Sequence, residues 1–155
     1  MFKRYPFLRA VVIFIESWLI GLAVLAILYF AWLRDWQMNW GATTEEATRY
    51  MAGDELLENP TLDATRAVEI EGSPEQIWPW IVQMGYKRAG FYGFDNLDNA
   101  GIPSAESIIP EYQNVKVGDS LAFLQVVEME PNKSMLWVFI SGPWKNATWS
   151  WGLYK

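Results

Sequence analysis

Ser73-Pro74-Glu75-Gln76-Ile77-Trp78-Pro79-Trp80-Ile81-Val82-Gln83-Met84-Gly85 is the stretch from which the fold of this chain can be read. Ser73 is a helix-capping residue, and Gln76 completes a Ser-x-x-Gln capping box. Pro74 suits the first helical position, where its missing N–H would have no intrahelical partner anyway. Ile77, Trp80 or Ile81, and Met84 form an apolar stripe at helical spacing, with Gly85 as the stop. Pro79 removes a backbone donor within this helix, which predicts a kink or a break into two short helices near Trp78. Just upstream, from Thr65, Val68 and Ile70 alternate with Glu69 and Glu71 as in a strand with one dry face.

Downstream, Tyr86 to Asn99 reads as a loop and a second short helix. After Val117-Gly118-Asp119 come three apolar segments, 121–130, 134–140 and 147–154, separated by Pro131-Asn132 and Ser141-Gly142-Pro143. They read as antiparallel strands. Alternation assigns one face to Leu121, Phe123, Val127 and Met129 in the first, and one to Trp149, Trp151 and Leu153 in the last. The middle segment is apolar on both sides, Met135, Trp137 and Phe139 against Leu136, Val138 and Ile140, and should be the least exposed strand.

Toward the N-terminus, Ala10 to Leu33 contains one charged residue, Glu16. Its 24 residues span roughly 36 Å as a helix, more than the ~30 Å hydrocarbon core of a bilayer. No small-x-small cleavage site follows, so the segment reads as an uncleaved signal anchor. Lys3, Arg4 and Arg9 precede it, whereas Arg34 is followed by Asp35, a bias that puts the N-terminus inside. Trp32, Trp36 and Trp40 at i, i+4 and i+8 either sit at the membrane interface or pack on the following domain. Glu16 reaches back to the headgroups or pairs with another helix, and Ser17 with Gly21 is a small-xxx-small pair that would permit dimerisation. The chain thus divides into a basic flank (1–9), the anchor (10–33), an interfacial helix end and acidic tether (34–64), and a folded domain (65–155).

Composition narrows the chemistry. The 155 residues include ten tryptophans but no cysteine and no histidine. That excludes thiol nucleophiles, imidazole bases, disulfides and the usual nitrogen and sulfur zinc ligands, and argues against catalysis. A net charge of −6 argues against nucleic acid as a partner. From Gly41 onward, eight basic residues against sixteen acids leave about −8, which anionic lipid would repel. Gly85, Gly90 and Gly93 lack dinucleotide-binding spacing, and Asp95 to Gly101 does not space its oxygens as a calcium loop does, so no cofactor or metal is implied. Asn132-Lys133-Ser134 and Asn146-Ala147-Thr148 fit the glycosylation pattern.

Several motifs occur in order at family spacing: 63–70 with 73–85, then Arg88-Ala89-Gly90-Phe91-Tyr92, Asp95 to Asn99, Ser104-Ala105, Ile109-Pro110-Glu111 and Val117-Gly118-Asp119. From about Met51 onward the chain resembles the SRPBCC (START-like, polyketide cyclase/dehydrase-like) superfamily, in a bacterial branch. The resemblance implies an α+β helix-grip fold, in which a curved antiparallel sheet wraps a long C-terminal helix around an apolar cavity. Here the chain stops at Tyr154-Lys155 inside an alternating strand, so a partial, truncated helix-grip domain with two short helices is expected behind the transmembrane helix. The resemblance points to a bacterium; together with the apolar segment and its charge bias, this gives the expectation of a single-pass plasma membrane protein with the N-terminus cytoplasmic and the C-terminal domain extracytoplasmic.

Three functions follow as expectations. The first is an apolar small molecule or lipid bound by Trp78, Phe91, Tyr92, Asp95, Asn99, Trp137, Phe139, Trp149 and Trp151, unless these rings are ordinary core. The second is a cyclase or hydrolase in which Asp95 or Asp98, set among Phe91, Tyr92 and Phe94, has a raised pKa and acts as base; the alternative is that Asp95 caps a helix while Asp98 and Asn99 face water. The third is an interaction domain at the membrane surface with no small ligand. Arg88 either anchors a ligand carboxylate or fixes its loop by pairing with Asp95 or Glu111.

Overall fold

A computed structural model describes residues 6–154, so Lys3 and Arg4, on which the orientation bias partly rests, lie outside the described residues. The chain is α+β and forms two compact units, one comprising the chain up to Arg49 with Leu62–Val68, the other Tyr50–Thr61 and the chain from Glu69.

In the first unit, α1 (Pro6–Leu28), a π-helical segment (Tyr29–Leu33) and α2 (Arg34–Met38) form one helix. It is long and apolar enough to cross a membrane. Ser17 Oγ donates to the carbonyl of Ile13 at 2.8 Å, and nothing lies within 4 Å of where a Gly21 Cβ would be. Trp32 lies in the π segment, Trp36 in α2, and Trp40 beyond the C-cap Asn39. The three therefore do not share a continuous helical face, because a π turn holds more residues than an α turn and Asn39 leaves helical geometry. Trp32 is 78% exposed. A capping box opens α3 (Thr44–Ala47): Thr43 N–H donates to Glu46 Oε2 at 2.8 Å and Glu46 N–H to Thr43 Oγ1 at 3.2 Å.

The strand expected from Thr65 is absent. Residues 65–70 join no ladder, and Val68 and Ile70 are exposed. Ala67 N–H instead donates to the carbonyl of Trp40 at 3.2 Å, and Arg66 Nε to that of Gln37 at 3.0 Å. Alternation specifies which way side chains face but supplies no partner strand.

In the second unit, α4 (Pro74–Gln83) is a single helix that runs through Pro79 without the expected break. Ser73 N–H donates to Gln76 Oε1 at 2.8 Å, completing the predicted box. Pro79 removes only the one ladder bond to the carbonyl of Glu75, in the first turn, and the rest of the helix is unaffected. A second short helix, α5 (Asp95–Asp98), follows. The tether region is divided: Tyr50–Thr61 belongs to this unit, and Gly53 lies so close to Leu136 that a Cβ there would come 2.6 Å from its Cδ1.

The strands β1 (Ser120–Leu121), β2 (Leu124–Glu130), β3 (Ser134–Phe139) and β4 (Thr148–Gly152) form an open antiparallel sheet in that order. The first predicted strand is thus split. A tight turn at Ala122-Phe123, with Ala122 at φ 59°, separates β1 from β2, and an extra residue at Val127 makes a β-bulge. Together they reset the phase, so Leu121, Leu124 and Val126 are buried while Val127 faces out, contrary to the predicted face. In β3, Met135, Leu136 and Trp137 are all buried, making it the least exposed strand as expected.

Register puts Leu124 opposite Phe139, Val126 opposite Trp137, Trp137 opposite Trp149, and Met135 opposite Trp151, all on one face. Trp78, Ile81 and Val82 of α4, with Met84, pack in one core with Leu121, Leu124, Val126, Met135 and Trp137.

Candidate functional site

Two groups of predicted site residues occupy different places. The polar group lies between the end of α4 and α5. Gln83 ends α4 fully buried, with Nε2 donating to Tyr92 Oη at 2.7 Å and to the carbonyl of Ser107 at 3.2 Å. Its Oε1 accepts from Ile109 N–H at 2.9 Å and Gln113 Nε2 at 3.3 Å. Asn99, fully buried rather than facing water, accepts from Lys87 N–H through Oδ1 at 2.7 Å and donates through Nδ2 to Ile102 O at 2.7 Å.

Asp95 is tied in the same way. It accepts from Ser104 Oγ at 2.6 Å and Ser104 N–H at 2.9 Å. Ser104's hydroxyl, then its backbone N–H, hold the Asp95 carboxyl below its ordinary value, the reverse of the raised pKa a general base would need. Nor does Asp95 make a side-chain cap; it latches the loop back from Ser104. Gly90, at φ +76°, is what lets Ser104 approach, since a Cβ there would come 2.9 Å from Ser104 Cβ. Asp98 is half-buried, with Oδ1 buried and unpartnered.

Arg88 pairs with neither Asp95 nor Glu111. Its Nη2 donates to the carbonyls of Tyr112 at 3.2 Å and Val82 at 3.5 Å, and its guanidinium lies 4.6 Å from the centre of the Tyr112 ring. Burial pulls this group below its ordinary pKa, against the opposing influence of Tyr112 and Asp119. Arg88, Tyr86, Glu111, Tyr112 and Asp119 line an open cleft of about 460 Å³. Among the described residues no group of three or more acidic side chains could hold a metal ion.

The aromatic group covers the α4 side of the sheet. Trp149 is its hub, with ring centres 5.6 Å from Phe91, 6.3 Å from Phe139, 5.5 Å from Trp137 and 5.4 Å from Trp151. Phe123 extends the array, 5.9 Å from Phe139 and 6.4 Å from Phe91. Trp137 and Trp78 are core residues, whereas Phe91, Phe123, Phe139, Trp149 and Trp151 are only half-buried. The indole N–H groups of Trp137 and Trp151 and the Ser150 hydroxyl are buried without a hydrogen-bond partner.

Tyr92 is apart from this array. It meets Trp80 edge-on at 5.9 Å and binds Gln83, so it belongs to the polar group. Three residues of these groups were missed by sequence reasoning. Phe123 was assigned inward by alternation but not to the site; Gln83, a polar residue at the end of an otherwise apolar helical face, carried a readable signal; Ser104 carried none. Comparison with protein-family models, with curated proteins and with solved structures found no match for this chain.

Proposed function

We propose that this chain is a membrane-anchored binding domain of the START-like, helix-grip kind, accommodating an apolar small molecule or lipid against its aromatic sheet face. The apolar helix fixes it in a bacterial plasma membrane with the N-terminus cytoplasmic and the domain outside. The observation that carries the reading is the contiguity of Phe91, Phe123, Phe139, Trp149 and Trp151, five half-buried rings next to one another on one face. Such a surface offers apolar area and ring faces to a ligand. The cyclase or hydrolase reading is weaker, because Asp95 is engaged by Ser104 and held as a carboxylate of lowered pKa.

Tryptophan fluorescence of the full chain in lipid nanodiscs, titrated with lipids and polycyclic aromatic probes, tests the proposal. A saturable change is expected with at least one probe, and Trp149→Ala should weaken it about tenfold, the loss of one good ring contact. No saturable change with any probe would overturn it.

A further inference from the structure

The turn that carries α5 is built inside out. Three of its polar residues are drawn inward, with Asn96 exposed: Asn99 is buried between Lys87 N–H and Ile102 O, Asp95 is latched to Ser104, and Asp98 is half-buried. Its apolar residues face outward. Phe94 is 80% exposed and Leu97 86%, more than any other large apolar side chain in the described chain, the long apolar helix included. Exposed Tyr92 and Ile102 flank them. Their presentation is rigid, since Leu97 N–H and Asp98 N–H both donate to Phe94 O, at 2.7 and 3.0 Å, and Gly101 N–H donates to Asp95 O at 2.7 Å. Large apolar side chains so exposed on a pinned turn mark a surface that another phase or molecule covers.

We infer that Phe94 and Leu97 form a tip that dips into the interface of the same bilayer the N-terminal helix crosses. This rests on the anchored reading above. Eleven residues separate the end of α2 at Met38 from Tyr50, a reach of at most roughly 40 Å, so the bilayer is the apolar phase to which the unit carrying the tip is permanently tethered. Insertion is apolar and not electrostatic: the sheet unit carries thirteen acids against six basic residues, so anionic lipid opposes the approach.

The absence of cysteine permits single-site labelling of the full chain reconstituted in phosphatidylcholine vesicles. An environment-sensitive dye on Asn96→Cys, between the two tip residues, is compared with one on Asn132→Cys in the exposed β2–β3 turn. The inference expects the Asn96 label to be quenched by bilayer-embedded doxyl lipid and several-fold less quenched by aqueous iodide than the Asn132 label. Phe94→Ser with Leu97→Ser should abolish both differences, and added phosphatidylglycerol should reduce them. If the chain floats with the vesicles but the two labels are equally open to iodide, the tip is wrong and the anchor stands. Protection from iodide without doxyl quenching would mean a protein contact, and overturns the bilayer as occupant. A chain that does not float with the vesicles overturns the anchored reading, and the tip with it.

Discussion

Around Gln83, Asp95 and Asn99, donors and acceptors meet at 2.6–3.3 Å, and each of the three side chains is engaged by two or more groups. On the aromatic face of the sheet, Trp137 and Trp151 keep buried N–H groups with no partner, and the rings between them and Phe91 remain half-buried. These bonds hold the loop in one place, while beside them Asp98 Oδ1 and Arg88 Nε are buried without a partner. The aromatic face has partly exposed ring area left over. Asp95 and Asn99 are thus tied into the loop, whereas Phe91, Phe123, Phe139, Trp149 and Trp151 pack against the core and keep part of their ring surface in solvent.

The largest effect that could break this contrast concerns Gln83. Gln83→Ala would leave Ile109 N–H, Ser107 O and the Tyr92 hydroxyl without their buried partner, and should cost about 3 kcal/mol in thermal or urea unfolding of the domain. A loss under about 1 kcal/mol would mean that the network is not what holds the loop. Next comes Asp95, whose folded-state pKa lies below its unfolded value. Its latch contributes stability that is fully present above the unfolded value and is lost as pH falls through the lower, folded one. Urea unfolding between about pH 5 and pH 2 should therefore show stability declining on acidification, and Asp95→Asn should flatten that decline. The smallest effect belongs to Trp151→Phe, which removes an unpartnered N–H and part of a half-buried ring. It should change stability by less than about 1 kcal/mol, and a loss as large as that of Gln83→Ala would erase the distinction between the two regions.

Features written in local chemistry were legible in the sequence. The Ser73–Gln76 box, the start of α4, the separation of β2, β3 and β4, and the double-sided burial of β3 all follow from residues within one element. What was illegible depended on partners or on unmarked backbone. Thr65 to Glu71 alternates like a strand yet has no ladder to join, and Ala122, with no glycine or asparagine to announce it, adopts the left-handed geometry that splits β1 from β2. The bulge at Val127 then inverts which residues face inward. For the candidate site, the sequence named Phe91, Phe139, Trp149 and Trp151 but not Phe123, their contiguity around Trp149 is a product of register, and the latch between Asp95 and Ser104 spans a loop with no periodicity.

The Trp137, Trp149 and Trp151 rings lie 5.4–6.1 Å apart, with planes crossing at 34° to 89°. Indole transition dipoles held so near one another and so far from parallel couple as an exciton, which splits their ultraviolet absorption into a circular-dichroism couplet of opposite lobes. Trp137 joins that coupling only while β3 and β4 are in register, whereas the Trp149–Trp151 pair lies within β4, so the Trp137 contribution is a reporter of this sheet's assembly readable without any label.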